Sequence, residues 1–259
     1  VDAAVYPLVL DPLIATATEA LASADCQFPD VAYDAFTSTW CVVWTQFFAN
    51  NVVGVVGSIF ATNNLSFGYA FAVNQPGDED SVRVCNIAGS GLFVMVWVNY
   101  ATTGASISGL ACEPVQAQAT TVWTLYGPAN VSMPVLSGEA TVFDDDCLVA
   151  WIDDTYGLIG STVAIDPQLQ VTATPLVQLG AGAPTEPAFS KQGGNPGLHL
   201  LTWIDRPTGL PGRLRARVVD HDMNVIGPAV WIRNVPQDCG WPAVDGDGFR
   251  FLVAWEEQE

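Results

Sequence analysis

The chain has 259 residues, half of them hydrophobic, with 27 acidic against 8 basic side chains and a formal net charge of −19. It is long enough to bury one substantial core without staples. It is too acidic to attract nucleic-acid phosphates or anionic lipid, and no apolar run reaches the length of a helical membrane span.

In chain order, residues 3–10 read as a strand, Asp11-Pro12 as a turn and residues 14–21 as a second strand. Four groups of four strands are predicted next. They cover 29–33, 38–44, 52–60 and 67–73; then 82–85, 92–97, 105–112 and 120–125; then 135–140, 147–151, 158–165 and 170–177; then 188–190, 198–203, 213–219 and 225–232. Two last strands cover 241–244 and 249–255. Short apolar runs rich in β-branched residues, bounded by Gly, Pro, Asn and Asp, are the reason for each assignment. No segment carries a helical period with a cap.

The second strand of every group ends in Trp: Trp44, Trp97, Trp151, Trp203 and Trp255, at spacings of 53, 54, 52 and 52 residues. A fixed period of that length without helices predicts a radial array, an all-β five-bladed β-propeller. The last group has only two strands, and joining the chain ends would set Trp255 and Trp44 48 residues apart, near one period. The N-terminal strands are therefore expected to complete the last blade, leaving no open sheet edge at the seam. The single domain divides into residues 1–23 (strands three and four of blade 5), 26–80, 81–132, 133–184 and 185–238 (blades 1 to 4) and 239–259 (strands one and two of blade 5).

Trp241-Pro-Ala-Val-Asp-Gly-Asp-Gly-Phe-Arg-Phe-Leu-Val-Ala-Trp255, and more loosely Phe28–Trp44, resemble a repeat of uncharacterised secreted bacterial proteins, P-x-V-A-x-D…F-L-V-x-W. The resemblance implies a β-propeller and an extracellular, periplasmic or cell-surface location, and carries no catalytic residue across. The five-bladed layout is also similar to that of tachylectin-type lectins.

Six cysteines suit an oxidising compartment. Cys26 and Cys239 precede the first strands of the two blades at the seam and are the disulfide candidate; Cys41, Cys85, Cys112 and Cys147 fall within strands and read as buried thiols. The repeat Trp residues read as wedges between blades. Two positions after each stands a polar acceptor, Gln46, Asn99, Asp153, Asp205 or Glu257, on the face where ligands dock in propellers. These could bind cations or sugar hydroxyls, or cap turns. The acidic clusters 144–146, 153–154, 220–222 and 245–247 leave a Ca²⁺ site open without matching a calcium loop, and His199 and His221 give no zinc pattern, so no metal or cofactor is expected otherwise. Six of the eight basic residues lie in blade 4. Arg213, Arg215 and Arg217 share one strand face, and with Arg206 and Arg233 they form a candidate surface for an acidic protein partner or a second copy.

Together these features predict a non-enzymatic extracytoplasmic interaction module, a structural subunit of a surface or envelope assembly. A glycan-binding lectin is one alternative. Because five-bladed propellers host furanosidases, a glycosidase is the other, with Asp30 and Glu139 as its carboxylates.

Overall fold

The computed structural model describes residues 25–48, 53–61, 67–73, 76–87, 90–115, 118–138, 146–191, 197–235, 237–247 and 249–257. Among these the chain is all-β, in five antiparallel sheets that follow one another along the sequence. The first holds β1 (Cys26–Asp34), β2 (Thr39–Phe47), β3 (Val53–Ala61) and β4 (Phe67–Ala72). The second holds β5 (Asp78–Ile87), β6 (Leu92–Ala101) and β7 (Gly104–Glu113), with β8 (Gln118–Ala119) and β9 (Trp123–Ala129) both paired to β7. The third is built alike from β10 (Val131–Gly138), β11 (Asp146–Asp153) and β12 (Gly157–Ile165), with β13 (Val171–Ala173) and β14 (Val177–Gly180) on β12. The fourth holds β15 (Pro184–Phe189), β16 (Leu198–Asp205), β17 (Arg213–Asp220) and β18 (Val225–Arg233), and the fifth β19 (Cys239–Gly246) and β20 (Phe251–Glu257). The five sheets are the blades of the propeller. The expected completion of the fifth by residues 3–21 lies outside the described residues. Among the described residues no helix is long and apolar enough to cross a membrane.

The fourth strands of blades 2 and 3, expected whole, are each split in two. At the breaks a Thr side chain takes over as acceptor: Ala111 N–H donates to Thr120 Oγ1 and Thr162 N–H to Thr174 Oγ1, both at 3.0 Å. In blade 3 the break also contains Pro175, which has no N–H to give the ladder.

The first strands β1, β5, β10, β15 and β19 contact one another in series, as the inner strands that line a propeller's central channel do. Each carries the same irregularity. The registers shift between Gln27 and Asp30, Asp80 and Arg83, Ser132 and Val135, Thr185 and Ala188, and Gly240 and Ala243. In every case two residues oppose one, and that one is the repeat Trp of the second strand. The first bulge residue is left-handed in all five: Phe28 (φ 51°), Ser81 (57°), Met133 (49°), Glu186 (50°) and Trp241 (48°). None is Gly or Asn, so each bulge holds strain that surrounding packing must maintain. Pro follows in four of the five, at a place where the ladder lacks a bond to lose.

Between the blades run apolar seams. Val82, Val84, Phe93, Met95 and Trp97 of blade 2 meet Ala32, Cys41, Val43, Val55 and Ile59 of blade 1. Trp151 stands in the seam between blades 2 and 3, and Trp203 in the seam between blades 3 and 4. Trp97, Trp151 and Trp203 are fully buried. Each ring fills the wedge that widens away from the channel, which is the packing role its sequence position predicts. Cys85 and Cys147 share the blade 2–3 seam, and Cys41 and Cys112 the blade 1–2 seam. His199, also fully buried, joins blade 4 to blade 3 through a 2.6 Å hydrogen bond between its Nδ1 and Ser137 Oγ.

At the far end of the channel the first strands nearly touch. A Cβ on Gly138 would stand 1.9 Å from the backbone oxygen of Asn86, and its N–H donates to Lys191 O at 2.9 Å. Backbone cannot yield there as a side chain could. Gly138→Ala is therefore expected to lower stability by about 3 kcal/mol or more, read as a fall in the urea midpoint at unchanged slope.

Candidate active site

The mouth of the channel lies where the chain enters each first strand, and the five bulge residues ring it. The bulge re-aims their side chains toward the next blade. Met133 Sδ accepts the Glu186 N–H at 3.4 Å, and Glu186 Oε2 accepts the Trp241 N–H at 2.6 Å. In blades 4 and 5 the N–H that the bulge removes from its own ladder is thus satisfied by the preceding blade, and in blade 2 the Ser81 N–H is satisfied by Asp80 Oδ1 at 2.6 Å. Trp241 (65% exposed) and Met133 (38%) present apolar surface at their bulges, and Phe28 is half-buried at its own.

Three of the carboxylates on these strands stand in or beside the bulges, with different surroundings. Asp80 directly precedes the blade 2 bulge; burial pushes its carboxyl above the usual range, against the opposing pull of the Ser81 N–H and Arg83. Its charge in turn helps burial raise the nearby Tyr100 hydroxyl. Glu186, in the blade 4 bulge, is held by the Trp241 N–H and, at 3.5 Å, by Arg206. Asp30 lies two positions beyond the blade 1 bulge, about 7 Å deeper at the rise of a strand. Its Oδ2 accepts from Val84 N at 2.9 Å and from Lys191 Nζ at 2.5 Å, and its Oδ1 from Val31 N at 3.0 Å. Lys191 also donates to Val84 O at 2.7 Å. A blade 4 ammonium thereby reaches across the channel to blades 1 and 2. Both partners of the pair are largely shielded, Lys191 at 33% and Asp30 at 16% side-chain exposure. Glu139, the other carboxylate expected of a glycosidase, lies outside the described residues.

The acceptors that follow the repeat Trp residues have separate partners. Gln46 Oε1 accepts the Trp44 indole N–H at 3.1 Å. Asn99 is buried beside Gly77. Asp153 caps its turn by accepting from Thr155 N and Tyr156 N, and takes the Tyr126 hydroxyl at 3.2 Å. Asp205 pairs with Arg215 at 3.2 Å and Glu257 with Arg233 at 2.6 Å. The Arg233 hydrogen bonds hold the Glu257 carboxyl below its ordinary value.

Of the blade 4 arginines, Arg206, Arg217 and Arg233 reach neighbouring blades, and Arg213 and Arg215 lie against their own. Trp203 faces Arg215 and Leu201 faces Arg217 across the β16–β17 ladder, on the side that packs against blade 3. The Arg215 guanidinium lies 4.3 Å from the Trp231 ring centroid and 5.8 Å from that of Trp203. Arg217 donates to Leu179 O of blade 3 at 2.6 Å, and burial lowers its guanidinium pKa. Arg213 stands opposite Asp205. Arg206 makes two bonds to Asp238, at 2.9 and 2.7 Å, and one to Cys239 O, tying blade 4 to blade 5. Cys26 and Cys239 occupy equivalent places, opposite Gln46 and Glu257, the first exposed and the second buried.

The acidic turns are self-capped. Asp220 accepts from Asp222 N and Asn224 N, and Asp247 from Phe249 N and Arg250 N. Among the described residues no group of three or more His, Cys, Asp or Glu could hold a metal ion. Sequence reasoning missed Asp80, Glu186 and Lys191 as channel residues. The one signal for the first two was an x-Pro or equivalent step in register with the repeat Trp; nothing local marks a lysine that spans the ring.

No family model matches the chain, and no curated protein matches its sequence. Solved structures of similar shape exist. An α-L-arabinofuranosidase from Lactobacillus brevis superposes with a TM-score of 0.50 at 12% identity, over 91% of this chain and 84% of that one. The catalytic domain of a Coprinopsis cinerea GH62 α-L-arabinofuranosidase gives 0.48 at 14%, over 86% and 78%. A glycosyl hydrolase from Bacteroides ovatus gives 0.48 at 10%, over 90% and 84%. The likeness to the first of these supports the propeller fold.

The comparisons correct the expectation of a non-enzymatic interaction module or structural subunit, and with it that of a chain that is not an enzyme. The solved structure that superposes at a TM-score of 0.50 is an α-L-arabinofuranosidase. The expectation rested on internal repetition. Yet the repetition lies in the bulges and Trp wedges, which a catalytic propeller needs as much as a structural one. Asp30, Asp80, Glu186 and Lys191 each stand in one blade only.

Proposed function

We propose that this chain is an extracytoplasmic glycoside hydrolase that works at the mouth of its channel. One observation carries the reading: the half-buried Asp80 and Asp30 sit on the adjacent strands β5 and β1 in opposite settings, the first pushed by desolvation toward the neutral form, the second facing an ammonium. Glycosidic cleavage needs such a division between a carboxyl that donates a proton and a carboxylate that does not. Asp80 protonates the leaving oxygen, and Asp30 serves as the carboxylate facing the anomeric carbon or its attacking water. Trp241 and Phe28 supply flat apolar surface on which a sugar ring stacks.

An α-L-arabinofuranosidase of the same fold makes an aryl α-L-arabinofuranoside the first substrate to assay, within a panel of nitrophenyl glycosides. Release of nitrophenol well above the uncatalysed rate is expected. Activity should decline as pH rises through the Asp80 pKa, because ionisation removes the donated proton. Burial places that decline above the ordinary carboxyl range, and Asp80→Asn should abolish it along with most of the turnover. A folded chain that binds sugars on a glycan array but cleaves none of the panel would overturn the reading in favour of a lectin.

A further inference from the structure

We propose that Cys85 and Cys147 form a disulfide that staples blade 2 to blade 3. Cys85 lies on the first strand of blade 2 and Cys147 on the second strand of blade 3, in one apolar cluster, each 1% exposed. Both are free thiols in this structure, β5 and β11 touch there, and the Cys147 thiol hydrogen-bonds that of Cys85; a bridge would draw the sulfurs together to about 2.05 Å. The surroundings are Ile87, Val94, Leu136 and Val149, all buried. A thiol pair there has no solvent or cation to favour thiolate, and the hydrogen bond to Cys85, together with burial, pushes the Cys147 thiol well up. Once the blades have docked the pair is inert. Exchange therefore occurs during folding, before the seam closes.

The oxidant is a low-molecular-weight disulfide, such as oxidised glutathione. One cysteine thiolate attacks it and releases one reduced thiol; the second displaces the other from the mixed disulfide. Two S–H bonds are lost and one protein S–S bond forms, while the oxidant is reduced to two thiols. The bridge joins residues 62 apart, a span over which a cross-link strongly restricts the unfolded chain. It is independent of the hydrolase reading.

The test is to refold the full chain from denaturant in a glutathione redox buffer, alkylate remaining thiols, and map peptides without reduction. The expected result is a linked pair containing Cys85 and Cys147, lighter than the separate thiol peptides by two hydrogens. The oxidised chain should melt roughly 5–15 °C above one refolded with reduced thiol only, and a Cys85→Ala/Cys147→Ala chain should lose that increment. Recovery of both residues alkylated, or linked to other cysteines, overturns the proposal, as does an unchanged increment in the double variant.

Discussion

Asp30→Asn is expected to lower turnover of the responsive aryl glycoside by about 10²–10⁴-fold, the usual weight of a positioned acid or base, with the propeller intact. Asn keeps the size of the side chain, but its single oxygen can accept from only one of the two N–H groups that the two carboxylate oxygens serve; turned to Val84 N it keeps the β1–β5 contact and leaves the exposed Val31 N to water. It removes the charge that faces Lys191. The ion pair is partly open to water, and screening limits its worth to on the order of 1 kcal/mol; the melting temperature should therefore move by a few degrees at most. A loss of turnover without a loss of fold separates chemistry from architecture. Turnover within a few-fold of the parent, at a lowered melting temperature, would leave Asp30 a structural anchor for Lys191 and remove it from the reaction.

The second large effect concerns stability. Trp203→Ala should cost about 3–5 kcal/mol. The ring is fully buried in the blade 3–4 seam with Leu148, Leu158, Leu179 and Leu201. Gly180 on β14 passes close beneath it, where a Cβ would come within 3.2 Å of the indole. The indole nitrogen has no hydrogen-bond partner, so the loss is almost wholly packing and cavity. The residue also stands opposite the Glu186-Pro187 bulge, whose left-handed backbone depends on a rigid neighbour. Trp241→Ala, at the open mouth, should change stability by no more than about 0.5 kcal/mol while weakening sugar binding. Chemical denaturation of the two variants decides the point: equal losses would show that the repeat Trp does no more packing than an exposed one.

The period of 52 to 54 residues and the strands within it were legible because they depend on local apolar runs and on one large ring per repeat. Trp97, Trp151 and Trp203 sit where that pattern puts them. The first strands were read too short, 82–85 where β5 covers Asp78–Ile87 and 188–190 where β15 covers Pro184–Phe189. The bulge accounts for this. A left-handed Ser81 or Glu186 breaks the alternation of faces, and neither residue type signals that backbone. The arginines of blade 4 show the complementary limit. Alternation told which face Arg213, Arg215 and Arg217 share, but not that Trp203, Asp205 and the Leu179 carbonyl lie against that face.

What the sequence by itself determined is the scaffold: all-β, five blades, with buried Trp wedges at Trp97, Trp151 and Trp203, since hydrophobic period and ring volume act over a few residues. What only the tertiary structure decided is the site. Asp30 and Lys191 are 161 residues apart and meet because blades 4 and 1 face one channel, and the Asp80 carboxyl is raised by its partial burial beside the mouth. Charge pairing and desolvation across a ring are properties of the closed fold, and no local pattern encodes them.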